Sequence, residues 1–270
     1  MDKNNIFKAN NVSYIYDNKF IALDQVSLQV NQGECIAILG ANGSGKSTLL
    51  KIMDGLYFPT TGTLEAFGQI LTESEFQNED FNYSYRRRVG LIFQDSDVQL
   101  FSPSVWDEVA FAPLHLGLPR EEVRARVETA LESLRIEKLR DRVPHRLSGG
   151  EKKRVALASV LSLDPEIWLM DEPTAGLDPH SQAWLDDFIY EQGEMGKTIV
   201  IATHDLTLAE SVADRVYVFD ENHRIITEGE PEKLLQDHSL LVECNLAPDH
   251  VHINRARDHE HTQFVLHPPR

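Results

Sequence analysis

Apolar and polar residues alternate from Ile6 to Tyr16 and again from Ala22 to Val30, the period of half-buried antiparallel strands. Asp17, Asn18 and Lys19 between them supply a turn, so the chain opens with a predicted hairpin. The pattern then becomes a continuous apolar run, Cys35 to Leu39, short enough for a buried strand. Helical spacing follows from Thr48 to Leu56, starting near Lys46, until Pro59 and Gly62 stop it. Gly62 to Leu71 reads as a further strand pair, Glu73 to Tyr83 as an acidic, aromatic surface insertion, and Arg86, Arg87 and Arg88 as a solvated helix face. Val89 to Phe93 is a short buried strand. Helical periodicity dominates from Val105 to Leu139, and two later apolar runs, Ile167 to Met170 and Thr198 to Ala202, each follow a helical segment as central parallel strands do. Val216 to Phe219 and Arg224 to Glu228 suggest a closing strand pair, after which periodicity fades beyond Leu235 into a His-rich tail. The expectation is an α/β domain over 1–235 with a helical subdomain at about 95–163, and a tail over 236–270.

Charge narrows the function classes. A formal charge of −17 over 270 residues repels nucleic acid and anionic membrane surfaces. No apolar run approaches the roughly 18 residues that span a bilayer, and the start, Met1 to Asn5, lacks the apolar stretch of a signal peptide. A cytoplasmic protein is expected, reaching a membrane only through a protein partner. Cys35 and Cys244 form no disulfide framework.

The chemistry begins at the segment Leu39 to Thr48, which fits GxxxxGK[ST] directly after a predicted strand. Gly40, Gly43 and Gly45, with Asn42 and Ser44, allow a turn that aims successive N–H groups at phosphates. Lys46 adds a point charge there, Ser47 can ligate Mg²⁺, and the helix running on through Thr48 directs its dipole at the same anion. A nucleoside triphosphate is the implied ligand. Asp171 and Glu172 end the apolar strand Ile167 to Met170, where a parallel sheet places ligands; Asp171 is the candidate for the Mg²⁺ shell and Glu172 for the general base.

Upstream of that strand, Leu147, Ser148, Gly149, Gly150 and Glu151 run straight into a helical segment. Here the sequence resembles the ATP-binding cassette ATPases, whose signature is LSGGE. The resemblance extends from Ile6 to Leu235. It implies a RecA-like P-loop core with an antiparallel β subdomain and a helical signature subdomain, ATP with Mg²⁺, and a head-to-tail dimer in which Ser148, Gly149 and Gly150 close over the partner's nucleotide. Carried over in the same way, Gln94 matches the Q-loop glutamine at the Mg²⁺, His204 the switch histidine, and Asp178 the D-loop aspartate. Tyr16 best matches the aromatic residue that stacks on adenine, with Tyr14 as the alternative.

The stretch Val89 to Phe101, followed by Val105 to Leu118, is similar to the ATPases of energy-coupling factor importers, with Asp95 and Ser96 replacing the commoner Asn-Pro and Ala112 standing where Gly is frequent. That likeness implies integral membrane subunits as partners, with Val98, Leu100 and Phe101 as candidates to line a groove for one of their helices. It also implies cobalt or nickel as cargo, with biotin or another vitamin as the alternative. The spacing of His250 with His252 and His259 with His261 suits a transition metal. A DNA-repair ATPase would need a long coiled coil between Gln94 and Ser148. A ribosome-acting protein would carry two cassettes. An exporter is not excluded, since its membrane segments could sit on another subunit.

Overall fold

The computed structural model describes residues 5–248, so His250, His252, His259 and His261 lie outside the described residues. Strands β1 (Asn5–Tyr16) and β2 (Phe20–Asn31) pair antiparallel around a turn at Asp17 and Asn18, whose left-handed backbones these residues tolerate better than most. Then come β3 (Cys35–Leu39), α1 (Lys46–Met53), β4 (Thr61–Ala66) and β5 (Gln69–Ile70). The helical pair α2 (Glu73–Phe76) and α3 (Glu79–Arg88) leads into β6 (Val89–Ile92). Helices α4 (Ser96–Gln99), α5 (Val105–His115), α6 (Arg120–Ser133) and α7 (Gly149–Leu161) form the helical subdomain. The chain returns through β7 (Ile167–Asp171), α8 (Pro179–Glu194), β8 (Thr198–Thr203), α9 (Leu206–Val212), β9 (Arg215–Phe219) and β10 (Ile225–Gly229), and closes with α10 (Pro231–Leu235) and α11 (His238–Glu243).

Two sheets result. One is antiparallel, in the order β2-β1-β4-β5; the other runs β10-β9-β3-β8-β7-β6, parallel throughout except for the edge strand β10. The central strands are apolar on both faces because both faces are covered. Leu169 and Val200 point toward α1 and the antiparallel sheet, while Trp168, Met170, Ile199 and Ile201 point toward the helical subdomain. In the parallel ladder Leu39 pairs with Thr203 and Asp171 with Ala202, so the ends of β3, β7 and β8 lie level at one edge.

The structure refines three expectations. Glu73 to Tyr83 lies at the surface but is packed down, since Phe76 and Phe81 sit against the core that includes Met53 and Tyr85, and α2 and α3 are capped by Thr72 and Asn78. The basic triplet does lie at the surface, with Arg87 exposed and its neighbours half-exposed, but each side chain is anchored there. Arg86 donates to the Asp54 carboxylate at 2.6 Å, Arg87 to the Leu116 carbonyl, and Arg88 grips Glu166 through two bonds of 2.8 and 2.9 Å. Asp54 is buried, and that burial pushes its pKa up to about 6 against the pull of Arg86. Packing also continues past Leu235, because Leu241 and Cys244 are buried, Cys244 against Ala37, Leu39, Val216 and Val218 of the parallel sheet. A fading apolar period hid this contact, since one short helix offers too few turns to show it.

Candidate functional site

The loop between β3 and α1 is shaped by Gly45, whose φ of 110° no side chain adopts comfortably; a Cβ there would sit 2.2 Å from the Ala22 carbonyl oxygen. Gly45 caps α1 without a side chain, and the first turn carries no acidic residue, so its N–H groups are left for an anion. Lys46 is buried and curls over this loop, donating to the Gly40 and Ala41 carbonyls at 2.7 and 3.0 Å. Burial lowers its pKa, while Glu172, with Oε1 3.5 Å away, pulls it back up. Ser47 Oγ donates to Asp171 Oδ1 at 2.9 Å, which joins the phosphate loop to the end of β7. Desolvation raises the Asp171 pKa, and the Ser47 bond opposes it.

Glu172 leaves β7 with a left-handed φ of 42°, a backbone that costs a residue with a Cβ about 1–3 kcal/mol. The turn directs its carboxylate at β8. Oε2 accepts from His204 Nδ1–H at 2.8 Å and from Thr203 Oγ1 at 3.1 Å, while the buried Oε1 has no hydrogen-bond partner among the described residues. With Oε2 pinned by hydrogen bonds and Oε1 held only by the longer 3.5 Å ion pair to Lys46, the carboxylate has the geometry of a base that can orient a water when Lys46 turns to a phosphate. His204 itself is half exposed, so its other ring nitrogen remains available.

Lys46, Ser47 and Glu172 line one cavity of about 460 Å³; Asp171 and His204 are not among its lining residues and connect to it through Ser47 and Glu172. Asn42, Gly43, Gly45, Lys46, Ser47 and Thr48 form its floor, Gln94 and Glu172 line it from β6 and β7, and Tyr16 lines it from β1. Tyr16, whose hydroxyl lies 3.2 Å from Thr48 Oγ1, reaches the cavity; Tyr14 stacks on Tyr57 instead, at 5.3 Å. Ser47, Asp171 and Gln94 are hard oxygen donors of the kind Mg²⁺ takes. Among the described residues there is no cluster of three or more His, Cys, Asp or Glu side chains that could hold a metal.

The signature residues do not line this cavity. Ser148 caps α7 in a capping box: Glu151 accepts from the Ser148 N–H and Oγ, each at 2.8 Å, which lowers the Glu151 pKa. Asp178 caps α8, accepting from His180 and Ser181. The two caps adjoin, because a Cβ on Gly150 would lie 3.2 Å from Ser181 Oγ. The structure therefore makes two surfaces from the expected site residues, one a cavity and the other an exposed pair of helix starts.

Sequence reasoning missed Thr203, a fully buried hydroxyl that donates to Glu172 and accepts the Asp205 N–H. It also missed Ile21, Ala22 and His223 in the cavity wall. Thr203 could have been read from its position beside His204; His223 comes from a distant hairpin and carries no local signal.

A model of the ABC transporter family matches residues 23–175. The chain is 46% identical over 245 residues to the nickel import ATP-binding protein NikO of Rhodobacter capsulatus, covering 90% of this chain and 96% of that protein. It is 44% identical over 243 residues to the cobalt import ATP-binding protein CbiO of the same organism, covering 90% and 85%. The solved structure of CbiO1 from Clostridium perfringens, part of the ABC transporter complex CbiONQ, matches with a TM-score of 0.76 at 37% identity, covering 90% of this chain and 95% of that one. The resemblance read from the LSGGE motif is borne out, and the chain belongs to the ABC transporter family as an ATP-binding subunit that hydrolyses ATP to drive transport.

Proposed function

We propose that this subunit energises an energy-coupling factor importer of nickel or cobalt, hydrolysing Mg²⁺-ATP as a head-to-tail dimer. The observation that carries the ATPase chemistry is that Lys46, Ser47 and Glu172 line one cavity, with Asp171 bonded to Ser47 and His204 to Glu172 behind them. Ser47, Asp171 and Gln94 would hold Mg²⁺, which supplies charge neutralisation across the β- and γ-phosphates when bound. Lys46 and the free N–H groups of α1 cradle those phosphates, and Tyr16 stacks on adenine. Glu172 Oε1 positions and deprotonates the attacking water. His204 holds Glu172 through Nδ1 and faces the γ-phosphate with its other nitrogen. Ser148, Gly149 and Gly150, exposed or half-exposed at the start of α7, serve the nucleotide of a second copy. Asp178 borders the same surface.

Among the described residues no helix is long and apolar enough to cross a membrane, so docking falls to a surface. Val98, Phe101, Phe111 and Leu114 are exposed, with the Phe101 and Phe111 rings edge to face at 4.8 Å. Buried Glu108 fixes this edge by accepting the N–H groups of Phe101 and Ser102 at 2.9 and 2.7 Å. This exposed apolar edge supports docking of an apolar helix of a membrane subunit, which would hold the chain at the inner face of the membrane. Leu100 is corrected: it is buried in the helical core and does not line the groove. The nickel and cobalt reading is supported by the named functions of the relatives. Uptake of labelled nickel, cobalt and biotin by cells with and without the chain tests it; dependence of biotin uptake alone would replace it.

A further inference from the structure

Lys153 sits on α7 with 3% of its surface exposed, and no carboxylate lies within ion-pair distance of it among the described residues. Its ammonium donates to two backbone carbonyls instead, those of Phe93 at 3.3 Å and Gln94 at 3.1 Å. Burying an ammonium against carbonyls alone is a costly way to hold a helix to a loop, and an apolar side chain would pack there with less penalty. The same loop is tied to α7 twice more. Lys152 pairs with Asp97 at 2.6 Å, and Gln99 bridges, accepting from the Phe93 N–H at 3.3 Å while donating to the Ala156 carbonyl and Ser159 Oγ at 3.1 and 3.2 Å. Three tethers thus fasten the backbone that carries Gln94 to one helix. That helix begins at Ser148, about one and a half turns before Lys153 at 3.6 residues per turn. Burial pushes the Lys153 pKa down to about 8, against the pull of Asp171 and Asp95.

We infer that Lys153 is a positioning residue that fixes Gln94 to α7, so that a nucleotide held by the Ser148 end of the helix sets the placement of Gln94 in this chain's own cavity. The inference rests on the head-to-tail reading of the signature surface.

Lys153→Met keeps the length, removes the charge and leaves no orphaned ion, so it isolates the tether. Full-length wild type, Lys153→Met, Gln94→Ala and the double variant are compared by ATPase kinetics, single-turnover hydrolysis of labelled ATP and thermal unfolding. The expected result is a fall in kcat of about tenfold, the scale of one charge-assisted hydrogen bond, with KM for ATP within about twofold. The Hill coefficient for ATP falls to one, and on the Gln94→Ala background Lys153→Met lowers the rate less than about twofold. Equal losses on both backgrounds, a loss of kcat that tracks a lowered melting temperature, an unchanged kcat, or a Hill coefficient unaltered by the substitution would each overturn the inference. Absence of hydrolysis in the wild type would instead refute the ATPase reading on which it stands, and a wild-type Hill coefficient of one would remove the dimer coupling.

Discussion

Glu172→Gln should separate binding from hydrolysis in opposite directions. Glutamine adopts the left-handed φ of 42° no more easily than glutamate, so the backbone strain is unchanged. It keeps one oxygen to accept from Thr203 Oγ1 and His204 Nδ1, the contacts at 3.1 and 2.8 Å, so the side chain stays in place. What disappears is the negative charge on Oε1, 3.5 Å from the Lys46 ammonium. Two unit charges about 4 Å apart attract by about 4 kcal/mol at an effective dielectric of 20, an upper bound on what Lys46 exchanges when it turns to a phosphate. Removing that competitor, and its repulsion of an incoming tetra-anion, should tighten ATP binding about five- to tenfold, a net gain of about 1 kcal/mol after the Gly40 and Ala41 carbonyls retain their share. Loss of the base should lower hydrolysis about 10²–10⁴-fold. Equilibrium binding of a fluorescent ATP and single-turnover phosphate release measure the two effects. Weaker ATP binding, or turnover within tenfold of wild type, would refute the assignment of Glu172 as base and as counter-charge to Lys46.

Gly45→Ala should abolish nucleotide binding and lower the melting temperature, because its Cβ would meet the Ala22 carbonyl oxygen at 2.2 Å; calorimetry and ATP titration check both. Asp54, with its folded pKa pushed up to about 6, holds a proton between pH 4 and 6 that the unfolded chain has already lost. Its contribution therefore makes stability fall as pH rises through that window, and Asp54→Asn should flatten the slope in urea unfolding at pH 4.5 and 7. Phe111→Asp should leave ATPase activity intact while releasing the chain from membranes, since Phe111 is exposed in the apolar groove and touches none of the cavity. Co-sedimentation with membranes reads this directly. His223→Gly should raise the melting temperature, because it relieves a left-handed φ of 63° in the turn between β9 and β10, worth about 1 kcal/mol.

The parts of the site that sequence reveals are those whose chemistry is local. Gly40 to Thr48 carries its own turn geometry, charge and helix start in one segment, and Asp171 and Glu172 stand at the end of an apolar run that only a buried strand explains. The level alignment of Leu39, Asp171 and Thr203 follows from parallel pairing, so placing the runs at neighbouring strands already places their ends together. What stayed hidden depends on which way a polar side chain turns. Lys153 and Lys152 are adjacent in sequence and alike in chemistry, yet one is buried on two carbonyls and the other meets Asp97 at the surface. Arg86 to Arg88 read as a solvated face because each partner, Asp54, Leu116 or Glu166, is far away along the chain. Periodicity reports apolar burial; it is silent on a cation that is held in place because a distant carbonyl or carboxylate receives it. At Lys153 that silent class of contact falls on the loop bearing Gln94, and it is there that chain-specific control of the catalytic cavity can enter without altering any motif.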